Sequence, residues 1–409
     1  MQKIKTFPSK IKGRVKISGS KNASLPIVVA SLLNEGKTIL NNVPHITDIN
    51  KLLNILKRIG INYSSKRRLV MKGEVEYQEL LYPEIKEFRA SYYLMGLFLA
   101  LFKEVKIYAP GGCQIGQRPI NFHLAGFIKA GVEVISDSNI IHLKANKLTP
   151  FCYEMPKKSL GATVNLLLLA SKINGCSVIK NASTEPEVDD LMFFLNKLGI
   201  KTFRYTDMII IYGKTKIRKK ISYKIMPDRI EAMTFIALGV QSEQLIIKNI
   251  NIEHLKKPLE VLVQAGLKAV IKPKKIKVYQ SYLQPIKIKS GDYPEISTDQ
   301  MPLFYPLFTR VKGISYFTEG IFESRFSVAE ELKKTNADIK IIDKTVIIQG
   351  GKDLIGNSFI AKDLRAAATL LIEAVINGDS IIENMYYLER GYEAIYQKLK
   401  QIGLEFNVS

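Results

Sequence analysis

The residues best placed to do chemistry stand in one decapeptide, Pro110-Gly111-Gly112-Cys113-Gln114-Ile115-Gly116-Gln117-Arg118-Pro119. A cysteine lies there among glycines, ahead of an arginine and with no acidic residue in the segment. A nearby guanidinium and loop amides favour thiolate over thiol, so Cys113 is a candidate nucleophile, more acidic than a cysteine on a helix face. The competing reading is a surface loop with an incidental thiol, since most lone cysteines are small hydrophobes. The other two cysteines, Cys152 and Cys176, fall in apolar strand-like or turn segments. Three cysteines and four histidines offer neither a disulfide framework nor the spacing of a metal site.

A second set of candidates stands just before six apolar stretches: Lys21-Asn22, Arg89, Ser159-Leu160-Gly161, Asp228-Arg229, Thr298-Asp299 and Asp363-Leu364-Arg365. If those stretches are helices whose starts share one cleft, their unpaired amides and positive dipole ends form an anion-binding surface. Lys21, Arg89, Arg118, Arg365 and Arg390 add cations suited to phosphate or carboxylate, and within that field Asp299 and Asp363 can act as catalytic carboxylates. Aspartate and serine are also ordinary helix caps. Lysine and arginine are not, because the dipole opposes them at a helix start. Ligand contact therefore explains Lys21, Arg89 and Arg365 better than capping does.

The elements that must position these residues follow from an internal repeat. A helix end followed by a strand recurs with glycine at 60, 131, 199, 266 and 403 and asparagine at 336, spaced by 67 to 71 residues. Each marks a helix C-terminus that needs a left-handed residue. A β-rich run ending near asparagine shares the period, as in Ser177-Val178-Ile179-Lys180-Asn181 and Leu245-Ile246-Ile247-Lys248-Asn249. Each unit reads as a buried helix, a strand, an amphipathic helix and further strands, which predicts a helical interior with sheets outside. At 409 residues two domains are expected. Three repeats precede about residue 226 and three follow it, so the boundaries are placed at 20–226 for one domain and at 1–19 with 227–409 for the other, with a cleft between. The strand-like stretch from Ile4 to Ile17 could join either.

Composition bounds the function. With 46% hydrophobic and 24% charged residues, the chain is globular rather than disordered. No apolar run is long enough to span a bilayer, and the N-terminus lacks a signal-like segment, so a cytoplasmic protein without membrane insertion is expected. The net charge of +22 invites a nucleic-acid reading. Lysine and arginine are nevertheless scattered through almost every segment, and basic runs such as Lys272-Pro273-Lys274-Lys275 fall where turns are expected. An anionic small ligand is the expectation, with no nucleic-acid partner.

Taken jointly, Lys16-Ile17-Ser18-Gly19-Ser20-Lys21-Asn22-Ala23, Arg89-Ala90-Ser91, the Cys113 loop, Gly161-Ala162-Thr163, Pro227-Asp228-Arg229-Ile230-Glu231, Asp363-Leu364-Arg365-Ala366 and Glu389-Arg390-Gly391-Tyr392-Glu393 resemble the UDP-N-acetylglucosamine 1-carboxyvinyltransferases, a family of enolpyruvyl transferases. The resemblance runs from about Ile11 to the C-terminus in unbroken order. It implies an α/β fold, a two-domain inside-out α/β barrel of six repeated units. It implies transfer of the enolpyruvyl group of phosphoenolpyruvate to the 3-hydroxyl of UDP-N-acetylglucosamine with release of phosphate, the first committed step of peptidoglycan synthesis. No metal or organic cofactor is implied.

By motif, Cys113 corresponds to the proton donor that also forms an adduct with phosphoenolpyruvate, and Asp299 to the base on the sugar hydroxyl. Lys21, Arg118 and Arg390 correspond to the holders of phosphate and carboxylate, completed by Asn22, Arg89, Asp363 and Arg365. The nucleotide sugar is assigned Arg89, Arg118, Pro119, Ile120, Asn121, Phe122, Lys157, Lys158, Ser159, Leu160, Asp299 and Ile321. Asn121, Lys158 and the order Gln300-Met301 depart from the family pattern and bear on substrate affinity. Fosfomycin, an epoxide phosphonate that imitates phosphoenolpyruvate, is expected to alkylate Cys113. The rivals are a 5-enolpyruvylshikimate-3-phosphate synthase, against which the Cys113 loop argues, and a non-catalytic nucleotide-sugar-binding paralogue, against which the full set of candidate residues argues.

Overall fold

The computed structural model describes residues 2–66, 68–109, 111, 120–214, 216–217, 219–321 and 326–409. The chain divides into two compact units, a first of Gly19–Pro44 and Asp48–Met226 and a second of Met1–Ser18, His45–Thr47 and Pro227–Ser409. Among the described residues each unit contains three sheets and three buried helices. In the first the buried helices are Lys21–Ala30, Tyr93–Phe102 and Leu160–Ala170. In the second they are Arg229–Gly239, the Met301–Phe304 turn continued by Tyr305–Phe308, and Leu364–Asn377. Apolar residues cover these helices on nearly every side, which only an interior position satisfies. The sheets stay separate, and among the described residues none closes into a barrel.

One hydrogen-bonding plan recurs. In five sheets an edge strand runs parallel to its neighbour and two antiparallel strands follow, as in Cys152–Glu154 beside Gly175–Lys180, then Met208–Gly213 and Lys201–Tyr205. In the sixth, Glu104–Tyr108 pairs antiparallel with Ile140–Lys144, and the parallel edge strand shrinks to one bridge between Leu80 and Ile107. Two-residue alternation sends Leu245, Ile247, Ile276 and Val278 inward and their neighbours outward. The periodic glycines fulfil their role: Gly60, Gly131, Gly199, Gly266 and Gly403 have φ from 81° to 108°, and Asn336 has 69°.

The asparagines have a role of their own. Asn42, Asn181, Asn249 and Asn384 are all left-handed, with φ from 50° to 62°. Each donates its side-chain amide to the carbonyl just after the parallel edge strand, respectively that of Ile225, Met155, Ile17 and Ala361, at 2.6–3.1 Å. A residue that turns the chain thus also ties down the strand beside it. Gly19 is needed for a different reason, since a Cβ there would lie 1.6 Å from the carbonyl oxygen of Asn42.

The N-terminus belongs to the second unit. Lys3–Thr6 lies between Ser380–Glu383 and Phe406–Val408, and Lys12–Lys16 is the parallel edge strand beside Gln244–Lys248. Conversely Ile221–Lys224, which precedes a second-unit helix, is the parallel edge strand beside Thr38–Asn41 of the first unit. A polar cluster, buried around Lys398 and Glu231 and exposed at His45, secures the segments 1–18 and 45–47. Lys398 ion-pairs with Glu231 and donates to Ser18 Oγ at 2.7 Å, Glu231 accepts from the Ser18 amide at 3.0 Å, and Glu393 accepts from the His45 amide at 2.9 Å. Among the described residues no helix is long and apolar enough to cross a membrane.

Candidate active site

In the first unit, Lys21 opens helix Lys21–Ala30, which Ser20 caps by accepting from the Ala23 amide at 3.3 Å. The dipole opposes a cation there. Asp48, at the start of helix Thr47–Arg58, compensates at 2.7 Å from the Lys21 ammonium. Asn22 follows, half-buried, on the same first turn.

Around Arg89 the helix starts come together. Arg89 stacks over the Tyr92 ring with its guanidinium carbon 4.6 Å from the centroid, and burial pulls its pKa down. The Tyr92 ring lies 5.7 Å from His123. Asn165 Nδ2 donates to His123 Nδ1 at 3.0 Å, while Asn165 Oδ1 accepts from the Gly96 amide at 2.8 Å. Burial, reinforced by the Arg89 charge, pushes His123 down to about 3, so this imidazole is neutral. Ser159 caps helix Leu160–Ala170, and a Cβ on Gly161 would meet the His123 ring at 3.2 Å. Arg89, the start of Asn121–Lys129 and the Ser159-Leu160 cap thus form one cluster. Ile120, Asn121 and Phe122 begin Asn121–Lys129, with Asn121 exposed. Lys157 is exposed, and Lys158 pairs with Asp207 at 3.2 Å.

In the second unit the three buried-helix starts form a closed set. Arg229 reaches Gln300 at 3.5 Å. Asp299 accepts from Arg365 Nη2 at 2.8 Å, with 26% of the aspartate side chain exposed and 10% of the arginine. Burial pulls the Arg365 pKa down, and the charges of Asp299, Tyr392 and Asp228 outweigh it and raise the pKa overall. Asp363 Oδ1 caps its helix, accepting from the Arg365 and Ala366 amides at 2.7 and 2.9 Å. Asp228 does the same for the Ile230 and Glu231 amides. Asp363 therefore has a structural duty as well as a place in the cluster. Arg390 ends the short helix Tyr386–Glu389, and Ile321 is exposed, its amide donating to Glu319 at 2.9 Å.

Cys113, Arg118 and Pro119 lie outside the described residues. Gly111, at the margin of their loop, sits against the Lys86 carbonyl, where a Cβ would come within 2.2 Å. Cys152 and Cys176 both lie exposed on a sheet rather than in apolar surroundings, because their strand positions point outward. Asp48, Tyr92, His123 and Asn165 are the site neighbours that sequence reasoning missed. An acid in a helix first turn or a histidine on an apolar face carries no local signal of its partner.

These arrangements can hold anions and present one oriented carboxylate. A family model described as EPSP synthase (3-phosphoshikimate 1-carboxyvinyltransferase) matches residues 5–399. The chain is 37% identical over 401 residues to a Carboxydothermus hydrogenoformans protein named UDP-N-acetylglucosamine 1-carboxyvinyltransferase 1, covering 97% of this chain and 95% of that one. It is 36% identical over 421 residues to a Bartonella henselae protein named UDP-N-acetylglucosamine 1-carboxyvinyltransferase, covering 96% of each. The enolpyruvyl transferase NikO from Streptomyces tendae superposes with a TM-score of 0.91 at 21% identity, covering 100% of this chain and 99% of that one. EPSP synthase from Acinetobacter baumannii superposes at 0.78 and 16%, covering 100% of both. The two structural likenesses speak for the fold alone. The near-full-length sequence matches carry more: the chain belongs to the EPSP synthase family of enolpyruvyl transferases, and the UDP-N-acetylglucosamine 1-carboxyvinyltransferases are its relatives within it.

Proposed function

We propose that this chain is a cytoplasmic enzyme that transfers the enolpyruvyl group of phosphoenolpyruvate to the 3-hydroxyl of UDP-N-acetylglucosamine, releasing phosphate in the first committed step of peptidoglycan synthesis. The observation that carries the reading is Asp299, partly exposed and held at 2.8 Å by the buried Arg365 among converging helix starts. A carboxylate fixed in this way is suited to accept the hydroxyl proton of a bound sugar.

The chemistry is addition followed by elimination. A proton goes to the methylene carbon of phosphoenolpyruvate, with Cys113 as donor, while the sugar oxygen attacks the adjacent carbon and gives up its proton to Asp299. The resulting tetrahedral ketal loses a methyl proton and phosphate, and the double bond re-forms. Lys21, Arg118 and Arg390 hold phosphate and carboxylate, and Asn22, Arg89, Asp363 and Arg365 complete the charge and hydrogen-bond frame. Asp48 keeps the Lys21 ammonium in place.

Phosphate release from phosphoenolpyruvate tests the reading. It should require UDP-N-acetylglucosamine and not proceed with shikimate 3-phosphate; turnover with the shikimate compound alone rejects the assignment. Peptide mapping after fosfomycin treatment supplies the second arm. Cys152 and Cys176 are both exposed, so labelling confined to Cys113 reflects its chemical setting rather than access.

A further inference from the structure

Strand pairing gathers lysines that are far apart in the sequence. In the sheet built from Lys12–Lys16, Gln244–Lys248, Lys275–Val278 and Ala269–Lys272, Lys16 stands opposite Lys248, Lys248 opposite Lys275, and Lys275 opposite Lys272. Four lysines thus form one row across four strands, about 14 Å long at the usual strand spacing. The next outward row reads Arg14, Ile246, Lys277 and Val270. Like charges directly opposite one another destabilise a sheet. Lys12 nearby is relieved by Glu243 at 3.1 Å, whereas among the described residues no carboxylate pairs with any of these six cations. The sheet does not need them for its core, which Val15, Leu245, Ile247, Ile276 and Val278 supply from the other face.

We propose that this face docks on the surface of an anionic lipid bilayer, holding the enzyme peripherally without insertion. The cations spread in two dimensions over an outward sheet face, which matches a planar anionic surface. A nucleic-acid strand would instead be tracked along a line, and single-stranded binding relies on aromatic platforms, of which neither row has any. Ile246 lies between Arg14 and Lys277, and Val270 ends the row beside Lys277, both short apolar groups of the kind that meet a headgroup region, and lysine stems can cover apolar area while their ammonium groups reach phosphate. Each lysine near such a surface strengthens binding about fivefold, and salt screens the attraction.

Sedimentation of the full-length enzyme with vesicles tests this. It should bind vesicles of phosphatidylcholine containing phosphatidylglycerol, ignore pure phosphatidylcholine, and release with added salt. Replacing the row together, as Lys16→Gln, Lys248→Gln, Lys272→Gln and Lys275→Gln, should weaken binding by about fivefold per lysine while phosphate release is unchanged. The same row replaced by arginine should keep binding, which separates lost charge from lost structure. A matched set, Lys129→Gln, Lys147→Gln, Lys197→Gln and Lys201→Gln, removes equal charge from exposed first-unit positions and should leave binding within about threefold. Equal loss in both glutamine sets, no binding to the anionic vesicles at low salt, or row-dependent retention of single-stranded RNA in preference to vesicles would each overturn the proposal.

Discussion

Lys21 enters its helix where the dipole repels it, and the Asp48 carboxylate 2.7 Å away offsets that cost in a nearly dry setting, with 14% and 5% of the two side chains exposed. Removing one member of such a pair leaves an uncompensated charge. Asp48→Ala should therefore lose about 3 kcal/mol of stability, and Asp48→Asn should raise the KM for phosphoenolpyruvate while the fold is kept. Thermal melts alongside phosphate-release kinetics decide it; an Asp48→Asn enzyme with unchanged KM would detach Asp48 from Lys21 function. A second residue sets a pH dependence. Burial pushes Glu373 up to about 7, against hydrogen bonds from Asn377 at 3.0 Å and Thr309 at 3.5 Å. Since the folded pKa exceeds the unfolded value of 4.5, the folded chain holds a proton that the unfolded chain has released, and stability falls as pH rises from about 4.5 to 7. The loss is at most about 3 kcal/mol. Glu373→Gln should flatten that part of the wild-type profile and melt higher than wild type above pH 7; parallel profiles would refute the effect. At this scale the cations at helix starts were legible because they break a local rule. Asp48 and Asn165 were not, because their partners lie on other helices.

Elements were legible wherever a local demand fixes the residue type. A helix end that turns left-handed asks for glycine or asparagine, and six such ends exposed the repeat. The strand-end asparagines were visible as a pattern but not as a mechanism, because the carbonyl each one holds comes from a strand that can lie far off in sequence. Asn249 reaches back to Ile17 at 2.6 Å with φ of 58°. Glycine there would keep the turn and lose only the hydrogen bond, whereas alanine would lose the bond and strain the backbone. Asn249→Gly should cost about 1 kcal/mol and Asn249→Ala about 2 kcal/mol or more. Denaturant titration of both variants checks the order, and an alanine variant as stable as the glycine one would show that the left-handed turn carries no energetic weight. Where Asn is absent the end of the edge strand is held by a side chain instead: after Lys287–Lys289, the Ser290 hydroxyl donates to Glu319 at 2.6 Å and accepts from the Gly320 amide at 2.9 Å.

For the whole molecule, the two units differ in how they are closed along the chain. Every described strand of the first unit comes from between Gly19 and Met226, so residues 19–226 carry the three sheets described for it. The second unit takes two strands from residues 1–18, and one of them, Lys3–Thr6, is an interior strand whose loss would split a sheet in two. Ile4, Ile11, Val15 and Ile17 go with it into the core. The alternation of Ile4 to Ile17 does not name the strands it pairs with, because a strand's pattern reports one buried face and not which distant strand lies beside it. A polypeptide of residues 19–226 should therefore unfold cooperatively on its own, whereas residues 227–409 alone should not. The register supplies a remedy: Lys3 and Ser409 exchange backbone hydrogen bonds at 2.8 and 3.0 Å, so the chain's last residue lies beside the start of its first strand. Joining Ser409 to residues 1–18 through a short glycine-rich linker makes a hairpin of the two strands. That rearranged second unit should regain a cooperative thermal transition and amide protection that 227–409 lacks. A 227–409 fragment that melts as sharply as the joined polypeptide would show that the N-terminal strands are not what completes the fold.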